Sequence, residues 1–289
     1  MYECIESQDD GLIMRPSGAW VLKKLDYLQR YIDTFVTSMR NKPWRAMNYI
    51  DLFSGPGKCC IREIHEICLG SCLIALNAKY PFSDYYFVDS DPDNIAALRG
   101  RCAASALSTR IHYFVGDSNQ LVDKIVADIA QLDQVFIHGH WPSLNLAFLD
   151  PAGLDLHWTT VEKLAQINRM DLVIHYPQMG LTRSMPTAVN APPDNKVDLF
   201  FGGSEWRSIY GAASHNSGVH RHLIDHYRKK LLSLGYADIV MDEEPEPLIR
   251  NTVRSAPLYR LIFASKHSLG HDFWRQVTSR DVFGQSRLF

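Results

Sequence analysis

Residues 47–57 read MNYIDLFSGPG, a short apolar run that leads into a Gly-Pro-Gly turn. An apolar run of this length is typical of a parallel strand that is buried on both faces. Gly55 and Gly57 allow the backbone to turn sharply and to approach a ligand closely. A strand followed by such a turn predicts the nucleotide-binding corner of a doubly wound α/β sheet. Asp51, inside the strand, needs a partner because burying an unpaired carboxylate is costly.

The composition is ordinary for a globular protein: 289 residues, 46% hydrophobic and 21% charged. No apolar run approaches the roughly 20 residues that span a bilayer, so no membrane association is predicted. The acidic N-terminus, MYECIESQDDGL, is neither a secretory nor a mitochondrial address, so we expect a cytoplasmic protein with mostly reduced cysteines. The net charge of −2 gives no global nucleic-acid footprint, although a local basic face would suffice for binding.

The chain is predicted to consist of a flexible arm, residues 1–18, and a single α/β domain, residues 19–289. Residues 19–39 carry apolar side chains at helical spacing, which predicts a helical N-terminal extension. Strands and helices alternate over residues 47–176, which favours a mostly parallel sheet covered on both faces.

Three other segments interrupt or follow this alternation. Residues 58–69 form a Cys-rich insertion directly after the turn. Residues 177–210 are rich in Pro and Gly without a clear period, so they are predicted to be an inserted loop region that covers or binds a ligand. Residues 236–241 and 258–265 are predicted to be the last pair of strands, joined by a polar connection.

Acidic residues follow the next predicted strands at the edge where ligands bind. An acid that ends the second strand of such a sheet commonly binds the ribose hydroxyls of an adenosine cofactor, and Asp89 occupies that position. Asp89 lies 32 residues beyond Gly57, whereas the NAD pattern has about 20. The third glycine of that pattern is missing, and Pro56 removes an amide that would meet a pyrophosphate. These departures favour a cofactor without phosphates. The alternative for Asp89 is a strand cap without a ligand.

Asp117 and Ser118 follow the third predicted strand, where a carboxylate would accept a hydrogen bond from an adenine amino group. Either residue is equally suited to cap the next helix, and the two roles are compatible. Asp150 and Pro151 follow the most apolar strand of the chain.

This order of motifs is the layout of class I S-adenosylmethionine-dependent methyltransferases, and it resembles one family among them, the three-Cys-motif partner (TcmP) proteins. The residues that carry the resemblance are Lys24-Leu25, YIDLFSGPG at 49–57, Gly70-Ser71, FVDSD at 87–91, GD at 116–117, FLDPAG at 148–153, GGSEW at 202–206 and PLYRLIFASKH at 257–267. It covers roughly residues 20–270. The resemblance implies a Rossmann-like methyltransferase fold with a last antiparallel strand, and a radical-type three-Cys-motif protein as partner.

The resemblance also implies the roles of individual residues. S-adenosylmethionine is the implied cofactor. Its methionine end would be held by Asp51, Gly55 and Gly57, its ribose by Asp89 and its adenine by Asp117, while Asp150 would lie nearest the transferred methyl. The remaining implied cofactor contacts are Phe53, Ser90, Ser118 and Lys24.

For an amino acceptor on a base, Asp150 and the Pro151 carbonyl would accept the amine protons. DNA amino-methyltransferases use an Asp-Pro-Pro-aromatic signature whose ring stacks on a flipped base. Ala152 and Gly153 have no aromatic ring, so the candidates for a ring that stacks on the base are Trp158, Tyr176 and Trp206.

Basic residues and histidines give a further indication of the acceptor. The segments 220–222 and 226–230 make one helix basic, and with Arg183, Arg207 and residues 250–254 they are candidates for a phosphate-contacting face; the alternative is a solvated helix face. His138 and His175 are predicted to pack or to cap.

The cysteines at 59, 60, 68 and 72 lack the paired knuckles of zinc sites, so no metal ligand is assigned, and whether they hold a structural metal stays open.

The sequence thus predicts a methyltransferase that acts on a nucleic acid base. The alternatives are a non-catalytic cofactor-fold subunit of a three-Cys-motif protein and, less favoured, an NAD(P)-dependent oxidoreductase.

Overall fold

A computed structural model describes residues 10–135, 137–213, 218–237 and 246–279. Within these ranges the strands are β1 (Arg15–Ser17), β2 (Met47–Asp51), β3 (Lys58–Ile61), β4 (Glu66–Leu69), β5 (Asp84–Asp89), β6 (Ile111–Val115), β7 (Leu144–Leu149), β8 (Met170–Tyr176), β9 (Leu248–Arg250) and β10 (Pro257–Ala264). The α-helices are α1 (Trp20–Met39), α2 (Ser71–Leu76), α3 (Pro92–Cys102), α4 (Ser118–Gln134), α5 (Trp158–Ala165), α6 (Gln178–Ala188), α7 (Lys196–Phe201), α8 (Trp206–Ala213), α9 (Val219–Ser233) and α10 (Ser268–Thr278).

The main sheet has seven strands in the order β6-β5-β2-β7-β8-β10-β9. The first five strands of this order are parallel to one another, whereas β10 is antiparallel to both β8 and β9. The strand order reverses at β2, which is where open α/β sheets form their binding crevice. This topology confirms the predicted α/β class, a Rossmann-like class I methyltransferase fold with a late antiparallel strand.

Two hydrophobic cores cover the two faces of the sheet because successive side chains of a strand point to opposite faces. On β2, Tyr49 packs into one core with α1, α2, α3 and α10. Its neighbour Ile50 packs into the other core with helices α4 to α9. The strand is buried along its whole length, as its continuous apolar run predicts.

Helix α1 is fixed to the sheet by a polar contact as well as by its apolar face. The hydroxyl of Tyr31 donates a hydrogen bond of 2.7 Å to Asp171, at the start of β8, and both side chains are buried. Burial raises the pKa of Asp171 to about 6, against the opposing effect of hydrogen bonds from Ser265 and Tyr31. The helical extension is therefore part of the domain.

The prediction of an inserted loop over residues 177–210 is wrong, because the segment contains α6, α7 and the first part of α8. Its apolar residues recur at three- and four-residue spacing and are buried, among them Leu181, Met185 and Ala188 of α6. Asn195 caps α7, and Gly202 ends it in the left-handed conformation. Of the prolines and glycines, Pro177 and Gly202 cap helices, whereas Gly180 and Pro186 lie inside α6.

Two other expectations change. The arm predicted over residues 1–18 includes β1, which pairs in parallel with β3, while residues 1–9 lie outside the described residues. The insertion at 58–69 is the hairpin β3–β4, because its alternating side chains pair across two strands.

The prediction at 236–241 falls mostly outside the described residues, since 238–245 are not described. Besides β8, β10 pairs with β9, which lies within the stretch predicted to be a polar connection.

Gly57 is placed where no side chain fits. Its φ is +94°, and a Cβ would lie 2.9 Å from Leu98 Cδ1 and 3.3 Å from Leu73 Cγ. We expect Gly57→Ala to lower the free energy of unfolding by about 3 kcal/mol, because backbone strain and overpacking add. Denaturant unfolding measures the change. Gly139→Ala is the matched control, with φ +81° and open space around its Cβ, and should cost about 1 kcal/mol. Equal losses would contradict the packing argument.

Candidate active site

The turn after β2 uses its backbone amides within the protein. The amide of Gly55 donates to Asp89 Oδ2 at 2.8 Å, and that of Ser54 donates to the Val88 carbonyl at 2.8 Å. The amides of Leu52 and Phe53 donate to the Phe148 carbonyl and to Asp51 Oδ1. Pro56 has no amide. Residues 52–56 therefore offer no amide donor to a phosphate.

Asp51 lies beneath this turn and is completely buried. Burial raises its pKa to about 7, although hydrogen bonds from Ser71 and from the Phe53 amide favour the ionised form. Neither cavity of the site has Asp51 in its wall. The carboxyl supports the turn from below, and its contact with the methionine end of a cofactor stays a prediction.

A first cavity, the acidic cavity, opens beside the turn at the carboxyl ends of β2, β5 and β6, with a volume of about 530 Å³. It brings together most of the predicted cofactor residues. They are Phe53, Gly55, Asp89, Ser90, Asp117 and Ser118. Asp91 and Asp155 add carboxylates to its wall, and Arg15 and His157 complete the charged and titratable residues.

The acids of this cavity are held in place by hydrogen bonds that leave acceptor capacity. Asp89 Oδ1 accepts from the Asp91 amide at 2.9 Å and from Asn94 Nδ2 at 3.1 Å. Asp117 caps α4 by accepting from the Asn119 amide at 2.9 Å, so its predicted capping role is confirmed. A carboxylate has about four lone-pair sites, so both residues retain capacity for a ligand. Ser118 donates to the Leu52 carbonyl and so ties α4 to the turn.

A second cavity, the central cavity, has a volume of about 370 Å³ and lies on the other side of Gly55. Lys24, Asp150, Pro151 and Gly57 line it, as do His175 and Tyr259. The two cavities share part of their walls, namely Arg15, Phe53, Gly55 and Ala152. A ligand in the acidic cavity therefore has direct access to the central one.

Asp150 is the electrostatic centre of the second cavity. Its Oδ2 is bound by the ammonium of Lys24, and its Oδ1 lies 2.7 Å from Nδ1 of His175. Lys24 and Asp150 are each only 7% exposed. Burial by itself would raise the pKa of Asp150, but the charge of Lys24 and the hydrogen bond from His175 hold it well below its usual range. The carboxylate is therefore ionised at neutral pH.

His175 is the residue that the sequence analysis missed, since it was predicted to pack or to cap. Burial lowers its pKa, against the opposing effect of Asp150. In the neutral ring, Nδ1 carries the proton that Asp150 accepts, so the basic atom is Nε2. Tyr259 packs against the imidazole with ring centroids 4.3 Å apart. The only available signal was a histidine near the end of an apolar strand.

The predicted aromatic substitutes are not in either cavity wall. Trp158, Tyr176 and Trp206 are buried in the core on the far face of the sheet. Tyr259 is the tyrosine that lines the central cavity.

Four members of the predicted phosphate-contacting face have partners within the fold, and phosphate contact by the face stays a prediction. Arg207 pairs with Asp198, Arg221 pairs with Asp225 and Glu246, and Lys230 binds the carbonyls of Phe201 and Gly202. The imidazole of His220 lies between the hydroxyls of Tyr176 and Thr182. These groups stabilise the packing of α6 to α9, because partners within the fold bind them. Arg183 differs, since it lines the central cavity.

The cysteines divide between two places. Cys59 and Cys68 face each other across the hairpin β3–β4, whereas Cys72 donates to the Ser54 carbonyl at 2.9 Å. In the described part of the chain, no three His, Cys, Asp or Glu side chains are grouped as a metal site would require.

Comparison with known proteins gives similarity of fold. No protein-family model and no curated protein matches the chain. The O-methyltransferase TomG of Streptomyces achromogenes, involved in tomaymycin synthesis and solved with SAM, is 12% identical, with a TM-score of 0.42, over 87% of this chain and 82% of TomG. The magnesium protoporphyrin IX methyltransferase ChlM of Synechocystis PCC 6803, with bound SAM, is 10% identical, with a TM-score of 0.40, over 86% of this chain and 80% of ChlM.

Among the described residues, no helix combines the length and the apolar character needed to cross a membrane.

The buried pair gives a stability prediction. Lys24→Met or Asp150→Asn alone should cost about 3 kcal/mol of unfolding free energy, because each leaves an uncompensated buried group. The double variant should cost clearly less than the two single changes together. Chemical denaturation of the four proteins measures the coupling. The surface pair Lys163–Asp123 is the control, and its coupling should stay below about 1 kcal/mol. Simple additivity at Lys24 and Asp150 would contradict the pairing.

His175 gives a pH prediction. Its folded-state pKa lies below its usual value, so the neutral Nδ1–H form should persist to a pH below 6.5. Asp150→Asn should lower this pKa further, because the carboxylate favours the imidazolium. Nitrogen-15 NMR of the imidazole over pH 5–8 reports both the protonation state and the tautomer, with His175→Gln used to assign the signal. An Nε2–H tautomer at pH 7 would refute the prediction.

Proposed function

We propose that the chain is an S-adenosylmethionine-dependent methyltransferase. The observation that carries this proposal is a cavity with four carboxylates, from Asp89, Asp91, Asp117 and Asp155, beside a glycine turn in which the amides of residues 52–55 are used within the protein. Carboxylates at strand ends suit the hydroxyls and amino group of an adenosine. A pyrophosphate needs free amide donors, and residues 52–56 offer none.

The charge of the acidic cavity favours the same cofactor. A pyrophosphate would face several carboxylates and would be repelled, whereas a sulfonium is a cation and would be attracted. Gly55 makes room at the boundary between the two cavities, because no atom lies within 4 Å of the position that a Cβ would occupy. The residues present therefore fit S-adenosylmethionine and disfavour NAD(P).

When bound, S-adenosylmethionine supplies a methyl group on a good sulfonium leaving group, so the protein mainly needs to align an acceptor and remove its proton. Asp150 holds the proton on Nδ1 of His175 and fixes the ring. Nε2 is then available to accept the proton of the acceptor. Lys24 keeps Asp150 ionised without taking part in the transfer. Asp150 and Pro151 stay the proposed neighbours of the acceptor. In this proposal Asp150 orients His175, and His175 accepts the proton.

The acceptor proposed from the sequence is a nucleic acid base. Phe53, which is half-buried in the wall of the central cavity, supports this proposal as a surface on which a base would stack. A radical-type three-Cys-motif protein stays the proposed partner, on the resemblance alone.

Gly55 provides the test of the cofactor. Its φ is +61°, so Gly55→Ala should cost about 1 kcal/mol of stability, and its methyl group would enter the space between the cavities. We expect the Kd for S-adenosylmethionine, measured by calorimetry, to rise at least about tenfold, or roughly 1.4 kcal/mol. Gly235→Ala, with φ +85° and open surroundings, is the matched control and should bind normally.

Tight binding of NAD, or absence of S-adenosylmethionine binding by the wild type, would sink the proposal. Labelled methyl transfer to DNA, RNA and protein then separates the two remaining functions. Cofactor binding without transfer to any of them would favour the non-catalytic partner subunit. Transfer that is lost in His175→Gln while cofactor binding persists would identify an enzyme.

A further inference from the structure

Three arginines reach the central cavity from separate segments. Arg15 lies on β1, Arg62 directly follows β3, and Arg183 lies on α6. The pairing of β1 with β3 aligns Arg15 with Cys59, and the Arg62 amide donates to the Ser17 carbonyl at 2.9 Å. The small sheet thus carries two of the arginines, and α6 carries the third from the far side of β8.

None of these arginines has a carboxylate within salt-bridge distance in the described ranges 10–135, 137–213, 218–237 and 246–279. The other cations of the cavity are already paired, Lys24 with Asp150 and Lys58 with Asp10. Asp150 is also the one acidic residue among the described residues of the cavity wall. The cavity therefore carries an excess of positive charge, although the chain as a whole has a net charge of −2.

The charge of Arg15 acts inside the cavity. Burial raises the pKa of Asp150, and the Arg15 charge helps to lower it, after the larger effects of Lys24 and His175. Burial lowers the pKa of His175, and the charges of Lys24 and Arg15 lower it further. The Arg15 charge also acts on Tyr259, whose pKa burial raises. The guanidinium therefore lies near the proposed proton acceptor.

We propose that the acceptor carries a phosphate group and that Arg15, Arg62 and Arg183 bind it beside His175. This inference rests on the proposed function and names its substrate class. Guanidinium groups form paired hydrogen bonds to phosphate oxygens, and donors from separate segments suit a tetrahedral group better than a planar carboxylate. The bound anion also offsets the mutual repulsion of the three cations.

The same phosphate chemistry has two sources, a free nucleotide and the backbone of a nucleic acid. The volume of about 370 Å³ accommodates one nucleotide unit with its phosphate. Arg62 and Arg183 are exposed residues at the rim, where a continuing strand would pass. The experiment therefore includes both a monoester and a diester.

The test is calorimetry on protein saturated with S-adenosylhomocysteine, which fills the cofactor site. Because this ligand carries the amino-acid carboxylate of the cofactor, any arginine that binds that carboxylate is already occupied. The probes are thymidine 5′-monophosphate, thymidine and a short oligothymidylate. We expect the monophosphate or the oligonucleotide to bind at least about tenfold more tightly than thymidine, because only these two carry phosphate. Arg62→Gln and Arg183→Gln should each remove about tenfold in affinity, and high salt should weaken binding.

Arg40→Gln is the matched control, since Arg40 is exposed and follows the other end of α1, about 22 Å along the helix axis from Leu25, the last residue of α1 in the cavity wall. Its affinity should equal that of the wild type. Equal binding of thymidine and its phosphates, or no phosphate binding, would overturn the inference while leaving the proposed function intact. Phosphate binding that disappears once S-adenosylhomocysteine is bound would also overturn it, because the arginines would then serve the cofactor carboxylate. Failure of S-adenosylhomocysteine to bind would instead count against the proposed function.

Discussion

The contact of Asp150 with Lys24 and His175 joins three parts of the molecule at one carboxylate. Lys24 comes from the N-terminal helix, Asp150 from the residue after β7 and His175 from the end of β8. A buried carboxylate without these partners would be protonated or would destabilise the fold. The pairing makes α1 part of the candidate active site and also sets the tautomer of His175, the one histidine among the described residues of the central cavity wall.

Asp51 and Asp150 show that burial alone does not decide the charge of a carboxyl. Both are buried at the ends of neighbouring strands, yet burial raises the pKa of Asp51 while that of Asp150 is held well below its usual range. The difference lies in the partners, since Asp51 accepts from neutral donors and Asp150 from an ammonium. Asp51 therefore suits a support beneath the turn, and Asp150 suits a permanent negative charge that orients His175.

The sheet and its acidic strand ends could be predicted because their signals are local. Apolar runs that end in Asp89, Asp117 and Asp150 are visible in the sequence, and parallel strands bring their carboxyl ends to one edge. The contact between Asp150 and His175 could not be predicted, because it depends on the register of β7 and β8. Leu149 pairs with Ile174, and so the two residues that follow come side by side.

The same limit applies to the charges. Composition showed a nearly neutral chain, and the basic helix α9 stood out by its run of cations. Only the tertiary structure shows that Arg221 and Arg228 of this helix pair with acids, while Arg15, far from that run, reaches the central cavity. Likewise, the helices of 177–210 are short, so each apolar repeat ends before a sequence window detects its period.

The Gly-Pro-Gly turn gains its meaning from the two cavities that it separates. In the proposed function no phosphate contacts the turn, so the missing amide of Pro56 costs nothing, and the neighbouring amides serve Asp89 and the adjoining strands. In the proposed function the cofactor is therefore recognised by carboxylates, whereas a dinucleotide would be recognised by backbone amides. One side of Gly55 is acidic and suits a cation, whereas the other side is basic and suits an anion. Opposite charges across a single glycine would keep a sulfonium cofactor and a phosphorylated acceptor each in its own cavity, while the shared wall lets their reacting groups meet.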